Sequence, residues 1–451
     1  MSRTSVRSKT VFACTECGAQ APKWLGRCPE CGSWSSLVEE RPPAAGGDST
    51  GAPNAVMPLV DVDPITAAGR STGVPELDRV LGGGLVQGSV TLLGGEPGIG
   101  KSTLLLQSLG RMAAAGARCL LVCGEESKEQ VRLRAERLQT LDPNLLIVTE
   151  TALPAILDRV VETAPDVLAI DSIQTVLDPE LTGVPGSVGQ VRECAHRLVR
   201  IAKERSIAAI LVGHVTKEGA LAGPRALEHI VDTVLAFEGD RHHALRMLHA
   251  LKHRFGSTNE LGVFEMTERG MAEVADPSSL FLADRRPGLP GSVVMATMEG
   301  VRPLLVEVQA LVSPTNAPAP RRSARGLDGG RLDLVLAVLQ ARAGLPLGVF
   351  DVYASVAGGL KVHEAGADVA VAIAITSALT GQPIAEGLVA VGELGLGGEL
   401  RQAAQTLRRL DEAARMGFHT AVVPSSTPDV PGIRLVRANH IQDVLNALEI
   451  G

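Results

Sequence analysis

The chain has 451 residues, of which 45% are apolar and 21% charged, with a formal net charge of −7. That length and apolar content supply two or three packed domains and exclude a disordered chain. The acidic balance excludes nucleic-acid binding through a global positive field and leaves that role to local basic surfaces. Aromatic residues make up 2%, and both tryptophans, Trp24 and Trp34, fall in the first forty positions. Contacts to a nucleic-acid strand are therefore expected mainly at its phosphates. The apolar stretch around Val369 to Ile375 is shorter than the roughly 20 residues of a membrane helix, and no apolar leader follows Met1, so a cytoplasmic protein without a membrane role is expected.

Residues 1–40 read as a C4 zinc-binding module. Cys14-x2-Cys17 and Cys28-x2-Cys31 are separated by ten residues, and each pair is followed by a glycine, Gly18 or Gly32. Two thiolate pairs on tight turns close a tetrahedral Zn²⁺ site, and a module this small needs its metal to fold. Lys23, Trp24, Arg27 and Trp34 offer it a surface for DNA or protein. Residues 41–57, rich in Pro, Gly, Ala and Ser, read as a linker.

Between residues 58 and 275, β-like runs at Val90 to Leu93, Cys119 to Cys123, Leu145 to Val148, Val167 to Ile170, Ala208 to Val212 and Thr233 to Phe237 alternate with helical patterns. The alternation predicts an α/β fold with a mostly parallel sheet. Gly95-Glu96-Pro97-Gly98-Ile99-Gly100-Lys101-Ser102 is a full G-x-x-x-x-G-K-[ST] loop between the first strand and a helix, extended by Thr103. Its glycines let backbone N–H groups curl around phosphates, Lys101 reaches the β- and γ-phosphates, and Ser102 ligates Mg²⁺. ATP with Mg²⁺ is the expected cofactor. Asp171, at the end of an apolar strand, is expected to hold the Mg²⁺ shell. In Gly124-Glu125-Glu126-Ser127, Glu126 is the first choice and Glu125 the second to polarise the attacking water; both are also favourable acids at a helix N-terminus. His214 and Thr216 follow another buried strand, where ligands bind in such sheets. The segments 174–190 and 216–225 are candidates for contacts with a strand. Cys119, Cys123 and Cys194 are expected in the core.

In residues 276–451, Ser292 to Met298 and Leu304 to Val312 read as strands, Ser313 to Gly330 as a long loop, and Leu332 to Arg342 as a helix. Lys252-His253-Arg254-Phe255-Gly256 precedes this region. Gly358-Gly359-Leu360-Lys361 with Asp368, and Gly392-Glu393-Leu394-Gly395-Leu396-Gly397-Gly398-Glu399, lie within it.

In this order of elements the chain resembles the RadA/Sms family of bacterial DNA-repair ATPases across nearly its whole length. The resemblance implies a RecA-like P-loop NTPase core, a small N-terminal zinc ribbon and a C-terminal Lon-protease-like α+β domain. The family's K-N-R-F-G motif stands here as residues 252–256, with His253 in place of Asn and with Lys252 and Arg254 kept as candidate catalytic residues that reach a neighbour's γ-phosphate or DNA. The resemblance further implies a homo-oligomer, expected as a hexameric ring, that acts on single-stranded and branched DNA and promotes branch migration. A recombinase such as RecA or a replicative helicase is the candidate partner. Proteolysis is not expected, because the stretch Glu364 to Asp368 has no serine and Leu407 stands at the lysine position. Lys361, Arg401, Arg408 and Arg409 are read either as basic residues near DNA or as a solvated face. The competing reading is a regulatory ATPase of the KaiC type that does not move on DNA.

Overall fold

The computed structural model describes residues 11–14, 20–30, 32, 34, 36–40, 58–61, 69–214, 225–239, 245–315, 317 and 319–450. The linker, Cys17, Cys31 and Thr216 lie outside them. The chain divides into two compact units, Met1–Val274 and Ala275–Gly451.

In the first unit, the strands β1 (Val11–Cys14), β2 (Gln20–Ala21) and β3 (Leu37–Glu40) form a small antiparallel sheet. Cys14, Ala21, Cys28 and Leu37 are its buried cluster, with Phe12 and Leu25 packed against them. Among the described residues of the module this is little apolar surface to offset chain entropy.

After the short helix α1 (Pro75–Val80), the chain alternates β4 (Val90–Gly95), α2 (Lys101–Ala114), β5 (Cys119–Cys123), α3 (Lys128–Arg137), β6 (Leu145–Val148), α4 (Leu153–Thr163), β7 (Val167–Asp171), α5 (Val188–Glu204), β8 (Ala208–His214), α6 (Arg225–Glu228) and β9 (Thr233–Glu238). The strands β10 (Leu245–His253), β11 (Leu261–Thr267) and β12 (Gly270–Glu273) follow. One sheet takes them in the order β12-β11-β10-β9-β4-β8-β7-β5-β6. The six strands from β9 to β6 are parallel, and β10 to β12 extend one side as an antiparallel meander. Strands β4, β5 and the apolar part of β7 are buried throughout, as expected of parallel strands covered on both faces. One face packs against α1, α2 and α3 through Leu77, Leu105, Leu109 and Val131; the other packs against α4 and α5 through Ile156, Val160, Cys194 and Leu198. Cys119, Cys123 and Cys194 are buried, and burial pushes the Cys119 and Cys194 thiols up to about 12. The meander was not anticipated from sequence. Buried and partly exposed positions alternate along its strand β10, but the buried ones are Arg246, Leu248 and Ala250, so its sequence shows no polar–apolar alternation.

The second unit begins with α7 (Pro277–Leu282) and is built on β13 (Ser292–Glu299), β14 (Arg302–Pro314), β15 (Arg322–Arg325), α8 (Gly329–Arg342), β16 (Phe350–Val356), α9 (Asp368–Thr380), β17 (Leu388–Ala390), the ribbon β18 (Glu393–Leu394) and β19 (Leu400–Arg401), α10 (Thr406–Arg415), β20 (Thr420–Pro424), β21 (Arg434–Ala438) and α11 (Ile441–Ala447). Its mixed sheet has the order β15-β16-β14-β13-β17-β20-β21. The stretch 313–330 is not simply a loop, as its composition suggests. Strand β14 runs on to Pro314, and Arg322–Arg325 forms a parallel edge strand beside β16. A polar four-residue edge strand has no apolar signature, because its pairing is carried by backbone groups.

Candidate active site

The parallel strands bring their carboxyl ends to one edge, where β4, β5, β7 and β8 deliver the phosphate loop, Glu125 and Glu126, Asp171, and Gly213 with His214. The loop curls because Gly98 (φ +77) and Gly100 (φ +115) adopt left-handed backbone conformations that side chains rarely take. A Cβ at Gly98 would meet nothing within 4 Å, whereas one on Gly100 would lie 2.2 Å from Met271 Cε and one on Gly95 would lie 2.7 Å from the Phe237 carbonyl oxygen. The loop is thus open at Gly98, braced at its base by β9 and capped by the meander at Gly100. Helix α2 begins at Lys101, so its N-terminal amides and dipole point toward this opening.

Lys101 Nζ donates to the carbonyl oxygens of Gly95 at 2.8 Å and Glu96 at 2.9 Å. Burial lowers its pKa, opposed by the charges of Asp171 and Glu125. Burial pushes the Asp171 carboxyl up, while a hydrogen bond from Ser102 pulls it down. Ser102 and Asp171 therefore share a small, partly dehydrated space beside a fixed cation. A hydroxyl and a carboxylate in that position form an oxygen donor set suited to Mg²⁺ held by a bound triphosphate.

The two glutamates part company. Glu125 accepts from Ser172 Oγ at 2.5 Å and faces Asp171 and Lys101. Glu126 pairs instead with Arg134, two turns along α3, whose start is fixed by a capping box between Ser127 and Gln130. Gly124 is needed at this turn: a Cβ there would lie 2.0 Å from Thr175 Oγ1. Strand β8 ends at His214; its side chain and Thr216 are outside the described residues. Gln174, just past Asp171, has a buried Oε1 with no hydrogen-bond partner among the described residues.

Lys252 and Arg254 do not join this site in the same subunit. They lie toward the amino edge of the sheet: Lys252 is level with Leu92 through Val234, and Arg254, beside Asp232 at the start of β4, is about 16 Å along the strand from Gly95 at about 3.3 Å per residue. Lys252 Nζ donates to the carbonyls of Glu228 (2.6 Å) and Val231 (2.8 Å), and burial lowers its pKa. Arg254 pairs with buried Asp232 at 3.0 Å; Asp232 also accepts from the Val90 amide at 3.1 Å and thereby ties the motif to the start of β4. His253 meets Thr233 Oγ1 at 3.1 Å and packs against Gly82 and Gly256.

One residue that the sequence did not single out touches the phosphate loop. Arg246 on β10 is buried and donates from Nε to the Ile99 carbonyl at 3.2 Å. The sequence of β10 has no polar–apolar alternation that would mark Arg246 as buried.

In the zinc module, Cys14 and Cys28 lie in one buried cluster, and Cys14 Sγ donates to Ser36 Oγ at 3.2 Å. Among the described residues no group of three or more His, Cys, Asp or Glu side chains is placed to hold a metal, two of the four thiols being outside them. In the second unit, Arg409 is wholly buried and forms a bidentate pair with Glu364, so it is neither a DNA contact nor part of a solvated face. Arg401 pairs with Glu399, and Asp368 is held by Arg331. Leu407 is half exposed. No helix among the described residues is long and apolar enough to cross a membrane.

Residues 12–39 match the rubredoxin metal binding domain, residues 58–220 the AAA domain, and residues 356–427 the subunit ChlI of Mg-chelatase. A KaiC-like protein of Pyrococcus horikoshii OT3 aligns along its entire chain with 47% of this one, at 23% identity and a TM-score of 0.39. DNA repair protein RadA of Listeria monocytogenes is 49% identical over 92% of each chain; that of Streptococcus pyogenes serotype M1 is 48% identical over 98% of this chain and 99% of its own; that of Bacillus subtilis is 45% identical over 97% and 98%. Full-length similarity to repair proteins disfavours the regulatory KaiC-type reading. With the phosphate loop, the AAA match makes the core a nucleotide-binding, Mg²⁺-dependent ATPase, between a zinc ribbon and a Lon-like domain. The chain belongs to the RadA family of DNA repair proteins.

Proposed function

We propose that this ATPase is a cytoplasmic motor on DNA, a ring of six subunits that binds single-stranded and branched DNA and drives branch migration of recombination intermediates and stalled forks. One observation carries the reading: Asp171, which shares the Mg²⁺ position with Ser102, runs within three residues into Gln174, the root of the segment 174–190 assigned to the strand. A change in phosphate charge at Asp171 is thereby coupled covalently to the DNA-binding segment. The buried Oε1 of Gln174, without a hydrogen-bond partner among the described residues, supports a junction that can rearrange.

When bound, Mg²⁺ neutralises developing charge on the transferred phosphoryl group. Ser102 and Asp171 hold it, residues Gly95 to Thr103 cradle the phosphates, and Lys101 supplies a fixed cation. Glu125, directed by Ser172, orients the water, and Glu126 is a structural partner of Arg134. Glu125→Gln is therefore expected to lower turnover by roughly 10²- to 10⁴-fold. Glu126→Gln removes only a partly exposed ion pair and is expected to lower it less than about fivefold. Steady-state phosphate release decides between them, and the reverse ranking restores Glu126 as the base. Lys252 and Arg254, held at the amino edge, serve the nucleotide of a neighbouring subunit. Cys14, Cys17, Cys28 and Cys31 hold Zn²⁺. The second unit is a scaffold without proteolytic function, in which Arg331 immobilises Asp368. A recombinase such as RecA or a replicative helicase is the expected working partner.

The test is ATP turnover with and without single-stranded DNA across a salt series. Stimulation is expected, with apparent affinity falling by a log–log slope of about −0.7 per phosphate contact. Turnover indifferent to DNA, or an affinity flat in salt, overturns the motor reading.

A further inference from the structure

The chain has two tryptophans, and both stand in the zinc module with their surfaces open: Trp24 is 56% exposed and Trp34 is 75% exposed. Large aromatic rings normally supply core area, and in this chain tryptophan is withheld from every other position. The two indoles converge over Gly26, where an added Cβ would lie 3.8 Å from Trp24 Cη2 and 4.0 Å from Trp34 Cζ3. Arg27 fixes the second ring. Its guanidinium lies 5.8 Å from the Trp34 centroid, its Nε donates to the Gly32 carbonyl at 2.8 Å, and an isolated antiparallel bridge pairs the two residues. Gly32 is required there, since its φ is +74 and a Cβ would come within 3.0 Å of Arg27 Nη2. Lys23 is exposed beside Trp24.

We propose that Trp24 and Trp34 form a stacking platform for the bases of single-stranded nucleic acid, with Lys23 and Arg27 meeting its phosphates. The inference rests on the DNA reading above and adds a base-contacting site far from the ATP site in sequence. Every base offers a π-face, so a pair of flat rings binds a strand without reading its sequence. Charge favours this occupant over a protein surface. The flanking side chains are cationic, and among the described residues of the module no other large apolar side chain is exposed to extend the patch, as the apolar core of a protein interface would.

The experiment uses the full-length protein with zinc bound. Because both tryptophans sit on the platform, selectively excited tryptophan emission reports on it alone. Oligothymidine binding is followed by anisotropy of a label on the oligonucleotide, and tryptophan emission is read in the same titration. Quenching that tracks binding, with an abasic strand of equal length bound but not quenching, supports the platform. Trp34→Leu is expected to weaken oligothymidine binding roughly fivefold or more, and Trp34→Phe to retain most of it; unchanged zinc stoichiometry excludes loss of fold as the cause. Binding by anisotropy with flat emission overturns the platform, leaves the DNA reading standing and returns the indoles to a protein partner. No anisotropy change at any concentration defeats the DNA reading itself.

Discussion

Replacing Lys101 with alanine is expected to stop ATP turnover, lowering it by at least about 10²- to 10³-fold, while zinc content is unchanged. The ammonium is buried at the N-terminus of α2, within the field of Asp171 and Glu125, and is held against the loop by the carbonyls of Gly95 and Glu96. Burial disfavours its charged form, and a bound triphosphate reverses that by placing negative charge beside it. Loss of the side chain removes that charge and its hydrogen bonds to the carbonyls of Gly95 and Glu96. A fold defect is separable from a chemical one, because Lys101→Arg keeps the charge but not the compact ammonium and should also fail while melting near wild type. Turnover persisting in Lys101→Ala would refute the assignment of the loop.

The second large effect concerns the buried ion pair of the C-terminal unit. Arg409 donates to Glu364, to the Ala296 carbonyl at 2.7 Å and to the Ala404 carbonyl at 2.8 Å; Glu364 also accepts from Thr297 Oγ1 at 2.6 Å and the Met298 amide at 2.9 Å. Arg409→Met leaves the partly buried Glu364 carboxylate without its cation and is expected to destabilise the unit by up to about 3 kcal/mol. The double variant Glu364→Leu with Arg409→Met should recover most of that loss, because desolvation offsets much of the Coulombic gain in the native pair. Denaturant melts of the three proteins decide the matter; a double variant no more stable than the single would overturn the argument.

The same pair sets an acid limit. Burial alone would raise the Glu364 pKa, but the bonds from Arg409 and Thr297 outweigh it and hold the folded value below the ordinary 4.5. A depressed carboxylate stabilises fully above its unfolded value, and the contribution is lost as pH falls through the folded value. Melting of wild type should therefore drop below about pH 4.5, with a smaller drop in Glu364→Gln.

Sequence determined the parts of this protein whose signal is local. The parallel strands are written as apolar runs because both their faces are buried, and a phosphate loop needs its glycines and lysine at fixed spacing whatever surrounds it. The two C-x-x-C pairs are legible for the same reason. What only tertiary structure decided depends on partners distant in the chain. Glu125 and Glu126 are adjacent and chemically alike, and Ser172 and Arg134 set their different directions. Arg246 and Arg409 look like surface charges until β10 is laid beside the phosphate loop and α10 over Glu364. Lys252 and Arg254 read as reaching a neighbour's phosphate or DNA, and only the antiparallel pairing of β10 with β9 puts them at the amino edge of the sheet, away from their own subunit's phosphate loop. A charged side chain is placed by whichever opposite charge or carbonyl the fold brings to it, and that pairing leaves no periodic trace in the sequence.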